Sequence, residues 1–100
     1  MMKTITTTEL QEKLEAGQPL QVIDVREDDE VAAGMVPDAK HIALGTLAER
    51  IEEIDGTQPV HIICRSGRRS ERACEFLESN GIEAINVEGG MLNWDGETIA

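Results

Sequence analysis

Apolar residues along this chain keep two rhythms, and the rhythm changes repeatedly between residues 6 and 94. Residues 20–25, Leu-Gln-Val-Ile-Asp-Val, are apolar and β-branched enough to predict a strand. Residues 60–63, Val-His-Ile-Ile behind Pro59, have the content of a central parallel strand buried on both faces. Residues 83–87 and 41–44 predict two further strands. Between the strands the period lengthens. Ser70, Ala73, Cys74 and Leu77 follow the i, i+3, i+4, i+7 spacing of an amphipathic helix, stopped at Asn80-Gly81. Thr6 and Glu9 form a capping box for a helix running through Leu14 and Glu15 to Gly17. Residues 27–33 predict a short acidic helix, and residues 90–94 another short one. Leu47, Ile51 and Ile54 stand at helical spacing across residues 46–54. Strands alternating with helices predict an α/β fold with a central parallel sheet and helices on both faces.

Composition narrows the picture. One hundred residues are expected to make one domain, residues 1–100, with one core and no tandem repeat. Phe76 and Trp94 are the only aromatic residues, so the core must be built from Ile, Val, Leu, Met and Ala, and Trp94 on its short helix is expected to join it. Twenty acids against nine bases give a formal charge of −11, which argues against nucleic-acid or anionic-membrane partners. No segment approaches the roughly 18 apolar residues that span a bilayer. Met1-Met2-Lys3 leads into threonines instead of an apolar stretch, so the expected location is cytoplasmic.

The bases are not spread evenly. Arg65, Arg68, Arg69 and Arg72 place four of the nine within eight residues, next to Cys64. Cys64 stands at the carboxyl end of the predicted central strand, where open α/β sheets bind their ligands. The loop that follows leads into the amino end of a helix, whose unpaired N–H groups and dipole stabilise an anion. A thiolate is such an anion, and a site of this kind lowers a cysteine pKa from about 8.5 into the range of roughly 3.5–7.5. Gly67 lets the loop turn tightly and brings its N–H to the sulfur. Cys74 falls on the inward face of the helix and reads as core. His61, three residues before Cys64 on a strand, should point to the opposite face, and a thiolate of low pKa needs neither His61 nor His41 as a base. Two cysteines and two histidines lie too far apart in sequence to suggest a metal set, and no organic-cofactor motif is present.

Four segments together carry a resemblance to a known family. Gln21 to Glu27 contains the pattern Asp-x-Arg at Asp24 and Arg26; Gly34 to Ile42 is similar to G-H-I-P-G-A-x-H-I; Cys64 to Ser70 fits C-x-x-G-x-R-S; and Val87 to Trp94 fits a closing G-G-x-x-x-W. In that order and spacing they resemble a single rhodanese domain, the sulfurtransferase fold, over residues 20–94. Met35 stands where the family often has histidine and Asp38 where it often has glycine, both in a segment that supports the fold.

The resemblance implies that Cys64 is the nucleophile. It would take the outer sulfur of thiosulfate or a related small anionic donor as a persulfide and pass it to cyanide or a thiol. Backbone N–H groups of residues 65–69 would cradle that sulfur. Arg65, Ser66, Gly67, Arg68 and Arg69 are the expected substrate-binding residues, with Arg69 partly structural. Asp24, Arg26 and Ser70 are expected as structural support, the first two as a buried ion pair. A second role, persulfide relay between proteins such as thioredoxin-like or sulfur-relay partners, needs the same cysteine, and the acidic residues 27–30 and 49–55 would dock a basic partner. Cysteine phosphatases and arsenate reductases share such folds, but they need an arginine six positions after the cysteine, where this chain has Ser70.

Overall fold

The computed structural model describes residues 2–100. Its elements are β1 (Lys3–Thr6), α1 (Thr7–Glu15), β2 (Gln21–Asp24), α2 (Asp28–Ala32), β3 (Lys40–His41), β4 (Val60–Ile63), α3 (Arg68–Ser79) and β5 (Ala84–Glu88). Short 3-10 turns occupy Leu44–Thr46, Ile51–Glu53 and Gly90–Asn93. The strands form one five-stranded sheet in the order β1-β5-β4-β2-β3, and every neighbouring pair is parallel. This is the predicted α/β architecture, with β4 at its centre.

Period-two alternation divides the strand residues between two packed layers. Ile23, Val60, Ile62, Cys64 and Ala84 face α3, where they meet Ala73, Cys74 and Leu77. Val22, Ile63 and Val87 face the opposite way and pack with Ile5, Leu10 of α1 and Val36. All four residues of β4 are buried, as a strand covered on both faces requires. Each fully buried Ile or Val contributes about 1.5–3 kcal/mol. Helix α1 begins with the expected capping box: Thr6 Oγ1 accepts from Glu9 N–H, and the Glu9 carboxylate accepts from Thr6 N–H. Trp94 packs half-buried beside Leu14 and Leu20 against the α1 side of the sheet.

Three expectations change. Strand β1 has no clear apolar run; it pairs with β5, and Ile5 is its only buried residue. The strand predicted at residues 41–44 shortens to Lys40–His41, although Ile42 and Leu44 still donate to the carbonyls of Asp24 and Val25. The segment from 46 to 54 is not an α-helix. It buries Leu47 and Ile54 as its spacing requires, but through two 3-10 turns and reverse turns. So short a segment gains too few i to i+4 hydrogen bonds to offset helix nucleation, and packing of its apolar side chains decides its path. Among the described residues, no helix is long and apolar enough to cross a membrane.

Candidate active site

Cys64 follows the last residue of β4, at the carboxyl edge of the sheet, with 1% of its surface exposed. The chain then turns through Arg65 and Ser66 to Gly67, the N-cap of α3, at φ +105°. Gly67 can hold that left-handed conformation because it has no side chain. Its N–H donates to Cys64 Sγ at 3.0 Å. The helix begins at Arg68, so Arg68 and Arg69 belong to its first turn instead of the loop. From that turn Ser70 brings its hydroxyl oxygen to within hydrogen-bond reach of the sulfur, 3.2 Å away. Burial pushes the Cys64 pKa up, but hydrogen bonds from the Ser70 hydroxyl and from the backbone of Ser70, Gly67 and Ser66 outweigh it, and the thiol titrates below its ordinary value. Cys74, one helical turn beyond Ser70, has no such donors: burial pushes its pKa up to about 12, and it stays a core thiol.

The arrangement is braced from two sides. Met91 N–H donates to the carbonyl of Cys64, and Leu92 N–H to that of Arg65, which seats the Gly90–Asn93 turn against the loop. The approach is so close that a Cβ on Gly90 would lie 2.3 Å from the Cys64 carbonyl oxygen, so only glycine fits. On the other side, Arg69 reaches across to α2, where its two terminal nitrogens bind the Glu30 carboxylate oxygens at 2.6 and 2.7 Å. That pairing holds the Glu30 carboxyl at about 2, well below its ordinary value.

The structure sorts the expected site residues. Cys64, Ser66, Gly67 and Ser70 converge on the sulfur through side chain or backbone. Ser70, expected only as support, touches the sulfur directly. Arg69, expected among the substrate-binding residues, is committed to Glu30. Arg65 and Arg68 are exposed beside the loop. Among the described residues Arg65, Arg68 and Arg72 make no ion pair, whereas Lys3, Arg26, Lys40, Arg50 and Arg69 all do. Lys13 on α1 makes none either, so three of the four unpaired bases fall within residues 65–72, next to Cys64 in the chain.

Asp24 and Arg26 lie away from the sulfur as a buried pair. The Arg26 side chain donates to both Asp24 oxygens, at 2.8 to 3.1 Å, and to the Gly34 carbonyl at 2.8 Å, while its backbone N–H caps Asp24 Oδ1. Removing either partner would strand the other charge, at a cost of about 3–5 kcal/mol. His41 Nε2 is bonded to the Arg26 carbonyl and His61 Nδ1 to the Gln21 carbonyl; burial pushes the His61 pKa down. Neither histidine is poised as a base. The acidic stretches expected to dock a basic partner are partly occupied, since Glu30 binds Arg69 and Glu53 binds Lys40 and Arg50.

Two contributors escaped the sequence reading. Glu30 is one acid in an acidic run, and nothing in its spacing marks it as the partner of Arg69. Asn86 did leave a signal, as the one polar residue between Ile85 and Val87 in an apolar strand. Its side chain accepts from Ser70 Oγ at 2.5 Å and donates to the Gly67 carbonyl at 3.3 Å.

Fold and site together define a class: a parallel α/β domain that presents, from the carboxyl end of its central strand, a cysteine whose hydrogen bonds favour the thiolate. The chain belongs to the rhodanese-like domain family, whose model matches residues 6–97. It is 50% identical over 97 residues to a Bacillus subtilis (strain 168) protein named "Putative sulfurtransferase YtwF", covering 97% of this chain and 94% of that one. A second protein of the same strain, named "Putative sulfur carrier protein YrkF", is 36% identical over 94% of this chain, which spans only 51% of its relative. The crystal structure of a rhodanese-like domain protein from Staphylococcus aureus superposes with a TM-score of 0.91 at 45% identity, over 96% of this chain and 94% of that one.

Proposed function

We propose that this protein is a sulfurtransferase that carries sulfane sulfur as a persulfide on Cys64. The observation that supports this most directly is the sulfur itself, held at the head of α3 by the Gly67 N–H and the Ser70 hydroxyl, with Arg65 and Arg68 exposed on the adjoining loop and first helical turn. The thiolate attacks the outer sulfur of thiosulfate. A new S–S bond forms at Cys64, the donor's S–S bond breaks, and sulfite leaves with the electron pair. A second nucleophile, cyanide or a thiolate, then attacks the terminal sulfur and releases the Cys64 thiolate. Arg65 and Arg68 orient the dianionic donor and favour departure of sulfite, while the loop N–H groups and the helix dipole stabilise the persulfide anion.

The test is intact mass of the reduced protein after brief exposure to thiosulfate, beside Cys64→Ser. Wild type alone should gain one sulfur, about 32 Da, and lose it to cyanide with release of thiocyanate. A gain on both proteins, or on neither, would remove Cys64 or thiosulfate from the scheme. A second reading, relay of the persulfide between proteins, is favoured by the relative named as a sulfur carrier. It predicts slow thiosulfate turnover and fast transfer to one protein acceptor.

A further inference from the structure

Asn86 sits in the middle of a strand that packs on both faces, 5% exposed, where a polar side chain is tolerated only if its hydrogen bonds are made. It shares the α3 side of the sheet with Ala84 and faces Ser70 and the start of the helix. The Gly67 carbonyl can only accept, so the Asn86 amide nitrogen must point to it, at 3.3 Å. That leaves Asn86 Oδ1 towards Ser70 Oγ, 2.5 Å away.

Ser70 has one proton and two acceptors, Asn86 Oδ1 at 2.5 Å and Cys64 Sγ at 3.2 Å. It can serve one at a time. While Cys64 is a thiol, its S–H donates to Ser70 Oγ and the Ser70 hydroxyl donates to Asn86, so every group is satisfied. When the thiol proton leaves for solvent, the sulfur becomes the stronger acceptor, and the Ser70 hydroxyl turns to it. Asn86 Oδ1 then loses its donor. Stabilising the thiolate through Ser70 therefore means breaking the bond to Asn86.

We propose that Asn86 is a positioning residue for Cys64: its side-chain oxygen competes with the sulfur for the Ser70 proton and so sets how readily the cysteine ionises. This deepens the reading of Cys64 as the nucleophile and rests on it for its functional meaning. The same amide, through the Gly67 carbonyl, holds in place the residue whose N–H faces the sulfur, so one side chain governs both donors to Cys64.

Competition has a signature that loosening of the loop lacks: opposite signs for two substitutions. Asn86→Leu removes the competing acceptor and frees the Ser70 hydroxyl for the thiolate. Asn86→Asp makes the competitor anionic. The measurement is the pH profile of Cys64 alkylation by iodoacetamide, followed on the Cys64 peptide so that Cys74 does not count, with thermal melts to confirm folding. At a pH below the wild-type midpoint, Asn86→Leu should alkylate several-fold faster and Asn86→Asp about tenfold slower than wild type. Adding Ser70→Ala to Asn86→Leu should abolish the acceleration. Shifts of the same sign in both variants, or an acceleration that survives loss of the Ser70 hydroxyl, would overturn the proposal. If the variants at 86 do not fold, Ser70→Ala alone decides: slower alkylation is expected, and an unchanged or faster rate would show that the hydroxyl never turns to the sulfur. Sulfur loading from thiosulfate is scored separately. A Cys64 with these profiles that takes no sulfur would remove thiosulfate as the donor and leave the role of Asn86 standing.

Discussion

Asp38 holds a backbone conformation that its neighbours impose. Val36, Pro37, Asp38 and Ala39 form a turn closed by Ala39 N–H to the Val36 carbonyl at 3.1 Å, with Asp38 at φ +67°. Proline followed by a positive φ is the type II pattern, which favours glycine at that second position. Asp38→Gly should raise stability by about 0.5–1 kcal/mol, because the relieved left-handed strain exceeds the added freedom of the unfolded chain. Urea denaturation with an unchanged midpoint would show that the aspartate carries no strain. At this scale the tight turn at Gly67 was legible, since a glycine just ahead of a helix start invites it, and the family resemblance already marked 38 as a position that favours glycine. Glu30 was not, because its partner Arg69 is brought near only by the fold, and Asn86 showed only as a polar residue in an apolar strand, with nothing to name Ser70 and Gly67 as its partners.

At the scale of elements, α2 is tied to the start of α3 by Glu30 and Arg69, and α2 itself buries no residue. The pair is partly exposed, so its contribution is about 0.5–1 kcal/mol. Its pH dependence has a definite sign. The Glu30 carboxyl in the folded protein titrates at about 2, below its ordinary value, so the pair contributes fully above the unfolded carboxyl's range and is lost as pH falls towards 2. The stability difference between wild type and Glu30→Gln should therefore be present at pH 6 and shrink steadily between about pH 4.5 and 2. A difference that stays constant over that range would mean the carboxylate charge plays no part. Helix periodicity located α3, which is long enough to show a full face, while α1 was located by its capping box and its stop at Gly17. Across residues 46–54 the same periodicity gave the buried side chains correctly and the backbone wrongly, since 3-10 turns can present those residues to the core as well.

Across the whole molecule, charge is segregated. A chain of net charge −11 keeps Arg65, Arg68 and Arg72 without an ion pair among the described residues, all within eight positions after the cysteine. Reversing Arg65 and Arg68 together to glutamate should lower kcat/KM for a dianionic donor by more than about tenfold. Alkylation by neutral iodoacetamide, measured where the thiolate is fully formed, should change by less than about threefold. Equal losses in both reactions would place the effect on the cysteine instead of on the donor. The charge cluster was readable from the sequence. What hid was the edge: β1, rich in threonine with Ile5 alone buried, has too little apolar pattern to announce a strand, because an edge strand is covered on less of its surface.

The seat of the Cys64 loop on Met91 and Leu92 also bears on how the protein is made. Cys64 leaves the ribosome well before residues 91 and 92, and its carbonyl and that of Arg65 find their donors only when those residues arrive. Strand β5 must likewise be synthesised before β1 has a neighbour. Until the turn at residues 90–93 docks, the carbonyls of Cys64 and Arg65 lack these donors, so the loop that carries the thiol is completed by a segment made well after it.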